Sequence, residues 1–422
     1  MTDRRSILLV AAAAGALAAA PVTGQVAAPP ASADPLAAQP APVAPPAPVL
    51  PPPVWSPIAA QVLLDYINDI GAEGLDPADY DPAGLEAAMR GGNSLTISAA
   101  ATERFVRLAD DIANGHVRGK DRNEWFIKDD KFGEEEAMAL LRTSLATNNL
   151  HGALTGLLPT HPQYLSLKAA LARADKADAQ QYNRIRLNMD RWRWLPRDLG
   201  QKYIIVNVPS FHATLVEDGQ TRWKKRAIAG AIKTKTPQIS ATASGVILNP
   251  WWEVPASITR EVAGKPGYVA VKGKDGKVQR WRQPPGPSNA LGKVKFIMPN
   301  SEAIFLHDTN ARSRFNSEVR ALSHGCVRTQ NIIELSKILL SDDNGEWTEA
   351  KVDAALARGK DVTAKFVKPL PVYIVYFSAA ALNDGTIVNY TDLYKRDDKV
   401  IAALLDRSKA MPTTKATQTA SR

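Results

Sequence analysis

Near Tyr203 the hydrophobic period of this chain changes, and such a change limits the fold to two successive architectures rather than one alternating one. Upstream, Ile58, Val62, Leu63, Tyr66, Ile67 and Ile70 recur at helical spacing behind Ser56-Pro57, a cap followed by proline at the first helical position. Phe105, Leu108, Ala109 and Ile112 make a second stripe, Glu134 to Leu145 a third helix, and Gly74-Leu75-Asp76-Pro77-Ala78-Asp79-Tyr80 is turn chemistry. Tyr182 to Trp194 is a basic, aromatic helix that Leu195-Pro196 ends, and it reads as packing between two domains rather than as a nucleic-acid platform. His116, His151 and His161 fall among polar residues and read as surface histidines.

Downstream the period is that of strands. Tyr203 to Val208 and His212 to Glu217 are joined through Pro209-Ser210, and Asp218-Gly219 is a hairpin turn. Arg226 to Ile232, Gly245 to Leu248, Val294 to Met298 and Ala303 to Leu306 add short strands, and Asn331 to Leu340 is helical. Pro371 to Tyr376 and Thr386 to Tyr390 read as a last hairpin around Asn383-Asp384-Gly385. Short strands with Gly/Pro punctuation and no alternating helices give a mixed β-sandwich, so the fold class is α+β. Asn249 to Gly292, rich in Gly, Pro, Lys and Trp, interrupts the strands, and loops of that length are usually lids or binding loops.

With 422 residues there is room for two domains, and the start belongs to neither. Residues 1–33 read as an export signal: Arg4-Arg5, an apolar run from Ile7 to Ala20 too short to span a membrane, and small residues at Ala20 and Ala33 for cleavage. Arg4-Arg5-Ser6-Ile7-Leu8-Leu9 is similar to a twin-arginine signal, and an ordinary Sec signal fits equally. No cysteine lies near either cleavage point for a lipid anchor, so no stable membrane span or anchor is expected once the signal is removed. Residues 34–54 are a Pro/Ala-rich linker of extended, polyproline-like character, and residues 406–422 a polar tail expected to be disordered. Export removes the chain from nucleic acid, so the net charge of +9 is better matched to a carboxylate-rich cell-wall polymer.

The chemistry gathers around the single cysteine, Cys326, which has no partner for an internal disulfide. A nucleophilic thiol needs a base, a small neighbour that lets a carbonyl approach, and N–H donors for the oxyanion. His307 or His324, Gly325, and the Gly325 and Cys326 amides can supply them. His324, two residues before Cys326, would point the same way in an extended segment and so tune the thiolate or serve a structural role. Arg328 shares that face as a fixed cation, and Asp308 or a backbone carbonyl would orient His307. With a helix following, the thiol is expected near a helix N-terminus, which lowers its pKa.

His307, a spacer over residues 308–322, then Ser323-His324-Gly325-Cys326-Val327-Arg328 resembles the signature of L,D-transpeptidases with a YkuD-type catalytic domain. Gln283-Pro284-Pro285-Gly286-Pro287-Ser288-Asn289-Ala290-Leu291-Gly292 and Leu306-His307-Asp308-Thr309 are similar to the YcbB-like branch. The resemblance implies a helical scaffold domain over 55–195 and a β-rich catalytic domain over 196–405 with a cap at about 250–292. Longer members insert a peptidoglycan-binding module where this chain runs from Tyr164 almost directly into Arg184, so no separate module is expected there.

The resemblance also implies the reaction. Cys326 attacks the third-residue carbonyl of a peptidoglycan tetrapeptide stem, with His307 as base, and D-alanine leaves; a second stem amine takes the acyl group to form a 3→3 cross-link. Arg328, Ser323, Trp252 and Asn289 are the candidate substrate-binding residues, carbapenem β-lactams the expected inhibitors, the periplasm the expected compartment, and no cofactor is needed. Acceptors other than a stem, namely water or a lipoprotein lysine, share the same first step. Two other classes are weaker. His307, His324 and Cys326 are a zinc-compatible set but lack a fourth ligand or a Glu base at helical spacing, and a non-catalytic wall-binding protein has no reason to keep an activated thiolate.

Overall fold

A computed structural model of the chain describes residues 51–127, 132–382 and 384–411. The expected signal, most of the linker and the tail beyond Met411 lie outside the described residues.

The first half is helical: α1 (Pro57–Asp69), α2 (Pro82–Arg90), α3 (Ser94–Asn114), α4 (Glu134–Ala146), α5 (Leu150–Thr155), α6 (Pro162–Leu171) and α7 (Ala179–Arg193). Ser56 caps α1 by accepting the Ala59 N–H at 3.1 Å, and the helix buries Ala60, Leu63, Leu64 and Ile67. Each fully buried Leu or Ile of such a stripe contributes about 1.5–3 kcal/mol, which outweighs the cost of leaving Ile58 on the solvent side. Asn93 caps α3, whose Phe105, Leu108 and Ile112 complete this core.

The expected surface histidines divide. His151 is exposed, whereas His116 is buried, 2.8 Å from Asp111, and His161 caps α6 and stacks on Trp192 at 4.0 Å. Both residues meet α7, and that helix bridges the two halves as expected. Asp190 accepts the His116 N–H (2.7 Å), Arg193 donates to the Tyr164 hydroxyl (2.8 Å), Asn188 accepts the Ser378 N–H (2.9 Å), and Arg191 pairs with Asp397 (2.8 Å). Arg191 and Arg193 are thus spent on internal partners.

The second half is built on strands: β1 (Trp125–Phe126), β2 (Lys202–Asn207), β3 (His212–Glu217), β4 (Gln220–Gly230) and β5 (Gln238–Leu248), then β6 (Trp252–Glu253), helix α8 (Thr259–Val262), β7 (Val269–Lys272), β8 (Val278–Gln283), β9 (Val294–Ile297), β10 (Leu306–His307), β11 (Ala321–Ser323) and β12 (Val327–Thr329). Helices α9 (Ile332–Ser341) and α10 (Glu349–Arg358), strands β13 (Val362–Val375), β14 (Ala379–Ala381) and β15 (Ile387–Asn389), and helix α11 (Asp397–Leu404) complete it. Asp218 and Gly219 both take positive φ (50° and 73°), as a tight β2–β3–β4 meander requires at its turn.

One mixed sheet runs β1-β5-β13-β2-β3-β4-β12-β10-β9, with β11 beside β4. Because β5 pairs antiparallel with both β13 and β9, the sheet returns on itself and encloses Val246, Phe296, Leu306 and Val327 against Leu335 and Leu339 of α9. The architecture is the expected α+β one, with helices ahead of a β-rich domain.

Three expectations change. Pro371 to Tyr376 is not one arm of a hairpin but the end of the long β13, pairing parallel with β2; the hairpin is β14 with β15. The interval 250–292 is not a plain loop, because β6, β8 and β7 form a separate three-stranded sheet over a small core of Val254, Ile258 and Val262. Residues 406–411, expected to belong to a disordered tail, are instead tied to the fold: Arg407 pairs with Asp79 at 3.1 Å and Met411 is buried.

Candidate active site

Between β11 and β12 the chain bends through His324-Gly325-Cys326. Ser323 fastens this bend: its hydroxyl accepts the Gly325 N–H (3.1 Å) and donates to the Cys326 carbonyl (2.6 Å), while Thr236 donates to the Gly325 carbonyl at 2.7 Å. Ser323 is buried and its hydroxyl occupied, so it shapes the turn instead of meeting substrate. The Gly325 amide is likewise committed, which leaves the Cys326 N–H as the oxyanion donor of the expected pair. Gly325 is needed for its φ of +117°, and a Cβ there would stand 3.2 Å from Ile304 Cδ1. Gly325→Ala should therefore destabilise the protein by about 1–3 kcal/mol, read as a lower thermal midpoint; an unchanged midpoint would mean that the turn tolerates another φ.

The bend also relocates His324. An extended segment would have aimed it alongside Cys326, but it is half exposed and meets Glu261 of α8 at 3.5 Å, so it faces the cap. With His324 turned away, the three zinc-compatible residues do not converge, and among the described residues no group of three metal-ligating side chains is assembled. Helix α9 does not begin at the thiol either, because β12 intervenes, so the macrodipole argument for a lowered thiol pKa does not apply.

The thiol is held by the neighbouring strand. Cys326 Sγ lies 3.7 Å from the Ala303 carbonyl and receives the Phe305 N–H, and the next residue's N–H donates to the Phe305 carbonyl at 3.0 Å. From there β12 runs parallel to β10, pairing Val327 with Leu306 and Arg328 with His307, while β9 pairs Lys295 with His307 from the other side. Leu306, Val327, Val294 and Phe296 point into the core at 0% exposure. By alternation, Lys295, His307 and Arg328 form a row across three strands on the opposite face. Phe305 and Cys326 make the adjoining row, and the Lys295 ammonium leans over the Phe305 ring, 3.9 Å from its centroid.

His307 is buried and its Nδ1 lies 2.6 Å from the Asp308 carbonyl, which fixes the tautomer with Nε2 as the free base. The Asp308 carboxylate is occupied elsewhere, accepting the Lys293 N–H (2.9 Å) and pairing with Arg312 (2.9 Å). Burial, with Arg328 next to it, pulls the His307 pKa down to about 4, so the ring is neutral at physiological pH. Burial pushes the Cys326 thiol up, opposed by the Phe305 N–H, Lys295 and Arg328. Arg328 is half-buried, with Arg314 beside it.

The two cap residues expected to bind substrate lie otherwise. Asn289 is completely buried and its amide donates to the carbonyls of Pro250 (3.0 Å) and Pro284 (2.9 Å), so it ties the ends of the cap together. Trp252 packs in the small cap core, 6.1 Å from the Tyr268 ring. Lys295 escaped sequence reasoning altogether: in Val294-Lys295-Phe296-Ile297 it reads as an ordinary outward residue, and only the β9–β10 register brings it to His307.

Residues 201–374 match the family model described as the YkuD L,D-transpeptidase catalytic domain, and residues 51–171 match the Scaffold domain model. A Haemophilus influenzae protein named "Putative L,D-transpeptidase" is 34% identical over 223 residues, covering 47% of this chain and 45% of that protein, so this chain spans about half the length of that relative. Among solved structures, a mutant of Enterococcus faecium L,D-transpeptidase aligns at 10% identity and TM-score 0.24, covering 42% of this chain and 50% of that one. Mycobacterium tuberculosis L,D-transpeptidase 1 aligns at 12% and 0.20, covering 42% and 61%. An L,D-transpeptidase in complex with imipenem aligns at 11% and 0.21, covering 42% and 59%. Residues 201–374 thus carry a YkuD-type L,D-transpeptidase catalytic domain, with the His307 and Ser323-His324-Gly325-Cys326 pattern inside it, behind a Scaffold domain matched over residues 51–171.

Proposed function

We propose that the protein is an exported peptidoglycan L,D-transpeptidase that makes 3→3 cross-links with Cys326 as nucleophile. The observation that carries this reading is that the lone thiol directly precedes β12, whose parallel neighbour β10 carries a neutral imidazole with its Nδ1 locked on a backbone carbonyl. In the first half-reaction His307 Nε2 takes the thiol proton as Sγ attacks the third-residue carbonyl. The Cys326 N–H faces the developing oxyanion. Collapse breaks the amide bond, and the proton held by His307 passes to the departing D-alanine amine, leaving a thioester. A side-chain amine of a second stem then attacks the thioester, His307 takes its proton, and the thiol is regenerated. In this reading Arg328, a fixed cation, holds a stem carboxylate. Residues 1–33 act as the export signal to the periplasm and 34–54 as the tether that gives reach into the wall.

The acceptor decides between this reading and its neighbours, since a carboxypeptidase or a lipoprotein-attaching transferase shares the first half-reaction. Purified enzyme given a disaccharide-tetrapeptide should yield a dimer joined through two third-position residues, with D-alanine released, as read by mass spectrometry. Tripeptide monomer alone would make the enzyme a carboxypeptidase, and a 4→3 dimer formed from pentapeptide would overturn the L,D assignment. A carbapenem should leave its acyl adduct on Cys326 in the same instrument.

A further inference from the structure

Lys295 enters none of the steps above, yet it stands in the row that carries them. A thiolate in a half-buried site needs a counter-charge. In many cysteine–histidine pairs the imidazolium supplies it, but His307 is wedged between two cations, Lys295 and Arg328, and its Nδ1 rests on a neutral carbonyl while the one nearby carboxylate, Asp308, is turned to Lys293 and Arg312. The positive charge must come from elsewhere.

We propose that Lys295 is a positioning residue for the nucleophile: its ammonium, held over the Phe305 ring beside Cys326, stabilises the thiolate and at the same time keeps His307 an unprotonated base. The assignment follows from register and contact. Lys295 is the cross-strand partner of His307, and its ammonium lies 3.9 Å from the centroid of the very residue whose N–H reaches Sγ and whose carbonyl anchors the strand behind Cys326. The cation–π contact restrains a long, flexible chain and directs its charge toward the Cys326 row.

The charged groups facing the thiol are few. Lys295 approaches from β9, His307 from β10 and Arg328 from β12, with Arg314 behind Arg328. From the cap, Glu253 acts on Lys295 but shares its charge with Arg280 at 3.0 Å, and His324 meets Glu261 at the rim. Burial and the charges act on the thiol in opposite senses, and Lys295 precedes Arg328 among the charges that favour the anion.

The chain has a single cysteine, so alkylation reads Cys326 alone. The rate of iodoacetamide alkylation of the folded protein, followed by intact mass across pH, gives the thiol midpoint. Lys295→Met should move that midpoint up and slow alkylation at neutral pH by about tenfold, one pKa unit. Lys295→Arg, which keeps the charge, should restore most of the rate. Glu253→Gln, at a half-exposed position, should move the midpoint down by releasing Lys295 from a competing carboxylate. Superimposable profiles for the parent and Lys295→Met, or Lys295→Arg as slow as Lys295→Met, would overturn the proposal. If Lys295→Met fails to give a cooperative melt, an unmoved midpoint in Glu253→Gln overturns it instead. The proposal rests on Cys326 being the nucleophile, but alkylation needs no acyl transfer, so its failure is distinguishable from a failure of the cross-linking assay.

Discussion

Cys326→Ala should lower D-alanine release from a tetrapeptide by on the order of a thousandfold or more, without unfolding the protein. The folded state loses little with the sulfur, whose bonds are a 3.7 Å contact to the Ala303 carbonyl and the Phe305 N–H, whereas the chemistry loses its only thiol. Cys326→Ser should be nearly as inactive. A hydroxyl is far harder to deprotonate than a thiol, and His307, drawn down to about 4, is too weak a base to compensate. The measurement is D-alanine released per enzyme with circular dichroism of each variant alongside, and parent-like turnover in the alanine variant would remove Cys326 from the mechanism.

His307→Gln should reduce the same rate by roughly a hundred- to ten-thousandfold, the usual range for a general base. The parent's pH profile carries a sharper expectation. Protonating Nε2 abolishes the base, so activity falls as pH drops through the His307 pKa. That pKa is about 4 instead of the ordinary 6.5, because burial and the flanking Arg328 and Lys295 disfavour the imidazolium. The acid limb of the transfer rate should therefore lie near pH 4, and mildly acid conditions should cost little activity. A limb near 6.5 would mean that water reaches the ring in solution, contrary to its burial at 5% exposure. Replacing Lys295 by methionine should raise this limb along with the thiol midpoint, a paired displacement that mere loss of packing would not produce.

Much of the helical half could be read directly, because a helix face is a local pattern. Ser56-Pro57 and the apolar stripe behind it specify where α1 begins and which side it buries, and both residues act within a few positions of their own. The β3–β4 hairpin was legible for the same reason, with Asp218-Gly219 able to take the left-handed conformations that the turn demands. Cys326 could be singled out as the lone cysteine beside His324-Gly325, and His307 by its place in a pattern that resembles the L,D-transpeptidase signature.

What the sequence could not supply is what depends on partners distant along the chain. His116 sits among polar residues and yet is buried, since Asp190 on α7 closes over its backbone from 74 residues away. Ser323 and Asn289 have side chains suited to substrate, but the bend at His324-Gly325-Cys326 and the folding-back of the cap direct both into backbone bonds. By itself the sequence determined an α+β order, the helix faces, and a candidate thiol and histidine. The tertiary structure alone decided the rest: that His307 is oriented by the Asp308 carbonyl and not its carboxylate, that His324 turns to the cap, and that Lys295 stands opposite His307. The reason is physical. Helical faces follow from residues three and four apart, whereas the neighbours of a strand residue follow from cross-strand register, which is settled only when the whole closed sheet buries its core at once.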